Sequence, residues 1–217
     1  MKKLVLLPLL LLSLAAHADE REWVPYKKLI EELRLDKFYA IPAAERDKLN
    51  MYITVKPRNA AYKPADVVLT VVHGSERQVL TPLSADYRLT VVPNPKWLSD
   101  DTKIMTSLPK GEKSAVDYEV TTPLPEGTQW NYTPVMSSVA QMNQAIKKMA
   151  GALSMFAPSV KVVVFKFSKP AQLKVGETAY NTDAKNQIRL KPESAWLKEN
   201  PLMVASERPI EARLDGE

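Results

Sequence analysis

The chain has 217 residues, 30 basic and 25 acidic, a net charge of +5, and no cysteine. The absence of cysteine excludes a disulfide framework, a thiolate metal site, a catalytic thiol and a lipid-modified N-terminal cysteine. A weakly basic balance, without a basic run interleaved with aromatics, argues against nucleic acid as a partner.

Lys2 and Lys3 precede an apolar run from Leu4 to Ala16, which is followed by Ala16-His17-Ala18 and then Asp19. A positive end, a leucine-rich middle and small residues at the exit form a secretory signal peptide, with cleavage expected after Ala18. The run is shorter than the roughly 20 residues a spanning helix requires. Residues 1–18 are therefore read as a leader and the mature chain as periplasmic, with no membrane span after cleavage. It would keep 28 basic and 25 acidic residues, a charge of +3.

Beyond the leader, Tyr26, Leu29, Ile30 and Leu33 recur at helical spacing with charged residues between them, which predicts a short amphipathic helix beginning at Pro25. After a proline-broken stretch, Met51 to Val55 and Val67 to Val72 read as strands. The second is nearly all apolar and so belongs in a sheet interior. His73-Gly74-Ser75-Glu76 is a turn, and Gln78 to Leu80, Tyr87 to Val92, Lys103 to Ser107 and Ala115 to Thr121 add strands.

The longest periodic pattern comes next. Val135, Val139, Met142, Ile146, Met149, Leu153 and Phe156 alternate steps of four and three, predicting one helix with a continuous apolar stripe, capped by Thr133 and Pro134 and stopped by Pro158. Its opposite face carries hydroxyls, amides and lysines without a carboxylate. Ser137, Ser138, Gln141, Gln144 and Lys148 are the candidate contact residues, for the other half of the chain, a partner protein or a polar polymer. No Asp or Glu occurs from Gly127 to Gly176, where six lysines do. Met136, Met142, Met149 and Met155 read as flexible core filler. Val160 to Ser168 is a strand buried on both faces in its middle, followed by strands at Leu173 to Val175, Gln187 to Lys191 and Leu202 to Ser206.

The four tryptophans suggest duplication. The segment from Leu89 to Asp101 aligns without gaps on Ile188 to Asn200, 99 residues later, matching Pro93 with Pro192 and Trp97 with Trp196. Upstream, Trp23-Val24-Pro25-Tyr26 resembles Trp130-Asn131-Tyr132-Thr133-Pro134, which pairs Trp23 with Trp130. The expected fold is α+β: two diverged copies, residues 19–122 and 123–217, each a small, mainly antiparallel sheet covered by a helix.

Catalytic signatures are sparse. His73 is the single histidine after the leader, no G-x-S-x-G elbow is present, and the adjacent pairs Glu31-Glu32 and Asp100-Asp101 diverge instead of facing each other across a substrate. One histidine without cysteine makes no metal site, and the six glycines never cluster into a phosphate or dinucleotide loop. No catalytic residue, metal or cofactor is therefore assigned. The expectation is a non-catalytic envelope protein that binds a partner protein or polymer. The alternatives are a hydrolase using a carboxylate pair or His73, and a small-ligand or lipid carrier with a pocket between the copies.

Overall fold

A computed structural model describes residues 20–80 and 82–216. The leader expected over residues 1–18 lies outside the described residues. The first half runs β1 (Arg21–Pro25), α1 (Tyr26–Glu32), α2 (Leu35–Ala40), β2 (Asn50–Pro57), β3 (Leu69–His73), β4 (Glu76–Val79), β5 (Arg88–Leu89), β6 (Lys103–Thr106) and β7 (Ser114–Thr121). The second runs β8 (Gln129–Asn131), α3 (Tyr132–Met136), α4 (Ser138–Ala150), β9 (Val162–Lys166), β10 (Gln172–Val175), β11 (Thr178–Asn181), β12 (Gln187–Leu190), α5 (Ser194–Glu199), β13 (Leu202–Ala205) and β14 (Glu211–Asp215). Helices and antiparallel sheets are mixed along the chain, so the fold is α+β.

The strands form three sheets. One has the order β1-β6-β3-β4, and a second the order β8-β13-β10-β11. The third is shared, with six strands ordered β5-β2-β7-β14-β9-β12, so β7 of one half lies against β14 of the other. The expected arrangement of one separate sheet per copy is thus incomplete. Each half has its own four-stranded sheet, and both contribute three strands to the central one. An isolated three-strand piece would leave β7 and β14 as edges with unpaired backbone groups, and pairing them removes both edges.

The same local contacts recur in the two halves. The Tyr26 hydroxyl accepts the Asn94 N–H at 3.0 Å, and the Tyr132 hydroxyl accepts the Glu193 N–H at 2.9 Å. Tyr26 packs edge-on against Trp97 and Tyr132 against Trp196, with ring centroids 5.5 Å apart in both pairs. Ahead of β5, the Arg88 N–H donates to Ser84 Oγ and Tyr87 has φ 61°; ahead of β12, the Gln187 N–H donates to Asp183 Oδ1 and Asn186 has φ 57°. Ser107 Oγ accepts the Val68 N–H as Ser206 Oγ accepts the Gln172 N–H, each at 2.9 Å. The hairpins β3-β4 and β10-β11 both turn through a glycine at φ 55°, Gly74 and Gly176, a conformation that glycine adopts without the Cβ penalty.

One expected pairing is corrected by register. Val24 lies opposite Ile104, and Trp130 lies opposite Met203. Since Ile104 and Met203 share the 99-residue offset, Trp130 occupies the position of Val24, and Trp23 falls one residue earlier. The irregularity in β1 between Glu22 and Val24 adjoins this shift, and a one-residue slip turns a strand side chain to the other face. Trp130 is buried and Trp23 only partly so.

The core is one connected cluster that takes Tyr26, Phe38 and Ile53 from the first half and Tyr132, Phe165 and Leu173 from the second. In β9, Val162, Val163, Val164 and Phe165 are all buried, as expected of an interior strand with both faces covered. The long helix differs from expectation. Ser137 separates α3 from α4 while keeping right-handed helical angles, φ −70° and ψ −11°, and α4 ends at Gly151 with φ 56° and ψ −127°. Val135, Val139 and Met142 are buried, whereas Leu153 and Phe156, in the short 3₁₀ turn Gly151–Phe156, are exposed. Met136 and Met142 fill the core as expected, but Met155 does not. Thr133 is not the cap either: its N–H donates to Asn200 Oδ1 at 2.8 Å and its hydroxyl to the Leu197 carbonyl at 2.9 Å. Helix α2, not among the expected elements, buries Leu35 and Phe38, and Tyr87 to Val92 is strand only at Arg88–Leu89.

Candidate functional site

The polar face of α4 is engaged by the chain itself. Gln141 Nε2 donates to Asp47 Oδ1 at 2.6 Å, and its Oε1 accepts the Lys48 N–H at 2.9 Å. Lys48 Nζ donates to Ser137 Oγ at 2.8 Å, and Ser137 Oγ donates to the Thr133 carbonyl at 2.6 Å. Lys148 pairs with Glu45. Ser138 is buried, with its hydroxyl donating to the Val135 carbonyl at 2.6 Å. Of the five residues read as a contact surface, Gln144 and Lys148 are exposed, Lys148 in its ion pair with Glu45, and the other three serve packing or the junction with residues 45–48.

His73 stands at the end of β3 beside Ser99, Asp101 and Thr102, but the arrangement is not that of a nucleophile and its base. Thr102 Oγ1 lies 2.8 Å, Ser99 Oγ 3.4 Å and Asp101 Oδ1 3.8 Å from the same ring nitrogen, Nδ1. A hydrolytic triad needs the serine and the acid on opposite ring nitrogens. The Ser99 hydroxyl bound to Asp101 holds that carboxyl below its ordinary value, with a smaller push in the same direction from His73. The adjacent acids lie at the surface in ion pairs: Asp100 pairs with Lys27 at 3.0 Å, and Glu32 with Lys28 at 3.7 Å. Among the described residues, no group of three or more His, Asp or Glu side chains is placed to hold a metal ion.

A more concentrated set of charges lies on the polar face of the central sheet. Strand alternation puts Ile53, Val55, Val120, Phe165, Ala212 and Leu214 on its core side. The opposite face bears Thr54, Asp117, Glu119, Lys166, Glu211 and Arg213, and it forms an open groove of two adjoining parts, about 470 and 390 Å³. Arg88 and Glu211 line both parts. Arg88 is ion-paired to Glu119 on β7 of its own half and to Glu211 on β14 of the other, and it stacks over Tyr52 with Cζ 5.9 Å from the ring centre. The three charged side chains are only 16, 28 and 11% exposed. Burial alone would lower the Arg88 guanidinium, but the hydrogen bond and charge of Glu211, with Glu119, outweigh it and leave the group above its ordinary value.

Three polar atoms of the residues in this lining are buried without a hydrogen-bond partner among the described residues, Arg88 Nε, Thr122 Oγ1 and Glu119 Oε2, the last held by its ion pair with Arg88. Such atoms are uncommon in folded proteins because an unmet donor costs its full desolvation. Towards one end of the groove stand Lys56 and Lys166, neither of which makes an ion pair among the described residues, and towards the other stand Arg208 and Ile210.

These groove residues were not singled out from sequence, since Arg88 and Glu211 are 123 positions apart. A usable signal was present nonetheless. Charges alternate with apolar residues at Asp117 and Glu119 and again at Glu211, Arg213 and Asp215, the pattern of a strand with one charged face.

Fold and site together define an α+β protein with a shared antiparallel sheet and a charged groove on its open face. The chain belongs to the family described as "Protein of unknown function (DUF2987)", whose profile matches residues 23–167, from β1 through β9 and one residue beyond. No curated protein and no solved structure matches it.

Proposed function

We propose that this chain is an exported, non-catalytic envelope protein, formed from two diverged copies of one α+β unit, that binds an extended peptide bearing both charge signs in the central groove. The observation that carries the reading is the open groove itself, whose charges come from both halves and in which Lys56 and Lys166 make no ion pair among the described residues. A peptide supplies what such a lining can bind: backbone donors and acceptors along its length, with side chains of both signs to meet Lys56, Lys166, Asp86 and Asp117. The recurring tyrosine-tryptophan pairs and matching hydrogen bonds support the duplication.

The same geometry argues against the rival activities. In a glycoside hydrolase, two carboxylates flank a gap that admits sugar and water. Here the guanidinium of Arg88 contacts both Glu119 and Glu211 and fills that gap. A lipid carrier needs a deep apolar pocket, whereas this groove is open and charged.

The test is calorimetric titration with a panel of extended oligopeptides of varied charge, using the unaltered protein and the groove variants Lys166→Glu and Arg213→Glu. Saturable binding that weakens in both variants supports the reading. Binding indifferent to both variants, absence of binding across the panel, or turnover of any peptide would overturn it.

A further inference from the structure

The apolar stripe of α4 does not end where the core ends. Val135, Val139 and Met142 are buried, but past Gly151 the stripe emerges: Leu153 is 66% exposed, and Met155 and Phe156 are each 80% exposed. Half-buried Ile146 and Met149 and exposed Tyr118 continue this apolar surface along a shallow groove of about 370 Å³. Three large apolar side chains presented on a six-residue turn are unlike the singly scattered hydrophobic residues of an ordinary surface.

Charge identifies the occupant. From Met149 to Val160 there is no ionisable side chain, and from Gly127 to Gly176 there is no carboxylate. The base of the turn is cationic. Lys147 and Lys148 close α4, and Arg34 of the first half, in the left-handed conformation at φ 55°, donates from Nη1 to the Met149 carbonyl at 3.3 Å. The carboxylate paired with these cations is Glu45, on Lys148, and Lys147 is exposed without an ion pair among the described residues. An apolar turn joined to a helix end that carries cations is the chemistry of a segment lying in the interface of an anionic bilayer, with side chains among the acyl chains and ammonium or guanidinium groups at the phosphates. A second copy fits less well, because apposing two such patches would bring cation against cation.

We propose that the Gly151–Phe156 turn, with Arg34, Lys147 and Lys148, is a docking element for an anionic lipid surface. It acts through a face separate from the peptide groove. Because three apolar side chains and a few charges make a shallow anchor, binding is reversible and depends on salt.

The experiment is co-sedimentation of the full chain with vesicles containing phosphatidylglycerol, against vesicles of phosphatidylcholine alone. The protein should pellet with the anionic vesicles and be released by salt. Lys147→Gln should weaken partitioning about five-fold, the effect of one cation near the surface. Leu153→Ser combined with Phe156→Ser should weaken it by about ten-fold or more. Both sites are solvent-exposed, so far-ultraviolet dichroism and unfolding midpoints should remain those of the unaltered protein, and the groove variant Arg213→Glu should sediment normally. Equal partitioning onto both vesicle types, or no partitioning onto either, would refute the proposal. So would a dimer in analytical ultracentrifugation that Phe156→Ser converts to monomer, since it would assign the patch to a second copy.

Discussion

Replacing Arg88 with methionine should loosen the junction of the two halves more than any single change on the groove's rim. Methionine keeps most of the aliphatic volume but removes the cation between Glu119 and Glu211, leaving two carboxylates that are 28 and 11% exposed facing each other. Removing one partner from a buried charge cluster costs about 3–5 kcal/mol, and the partial exposure of Glu119 places this case near 3 kcal/mol. Against a total stability of about 5–15 kcal/mol this is a large fraction. With a urea slope of about 3 kcal/mol per molar, suited to a chain of this size, the unfolding midpoint should fall by about 1 M. Tryptophan fluorescence provides the assay, since Trp97 and Trp130 are buried, one in each half. Adding Glu119→Gln and Glu211→Gln to Arg88→Met removes the unpaired charges and should restore most of the loss. A midpoint within roughly 0.2 M of the unaltered protein after Arg88→Met, or a triple variant no more stable than the single one, would show that the cluster does not hold the seam.

Three further outcomes follow from the geometry. Tyr26→Phe and Tyr132→Phe each remove the hydroxyl that accepts a backbone N–H, from Asn94 and Glu193, and each should cost about 1 kcal/mol in denaturant unfolding; a marked inequality would speak against equivalent roles. At Gly151 a Cβ would meet nothing within 4 Å, yet φ 56° with ψ −127° is a backbone region closed to other residues, so Gly151→Ala should cost about 1–3 kcal/mol, visible as a lower thermal midpoint. Ser99→Ala should let the Asp101 carboxyl rise towards its ordinary value, as read by a carboxyl-detected nuclear magnetic resonance titration. Because that carboxyl is depressed in the folded protein, its contribution to stability is present above the unfolded value and lost as pH falls through the folded one; the variant should therefore trail the unaltered protein at neutral pH and match it in strong acid.

The α+β class, the helix at Tyr26 and the strand at Val162 were all legible from sequence, because each depends on periodicity within a short window. The hairpin at Gly74 was legible for the same reason: a glycine-containing two-residue turn directly after an apolar run has few other solutions. Sequence reading also identified the helix face of Ser137, Gln141 and Lys148 as unusual for lacking carboxylates. Only the tertiary structure supplied the missing acids, Asp47 and Glu45, from about 100 residues upstream. Three further features were decided at that level: β7 and β14 close one sheet across both halves, Arg88 meets Glu211 across 123 positions, and the stripe of α4 emerges at Leu153 instead of remaining in the core. Periodicity indicates which side chains share a face. What covers that face depends on strand partners and on where the core runs out, and those are set by contacts between residues far apart in the chain.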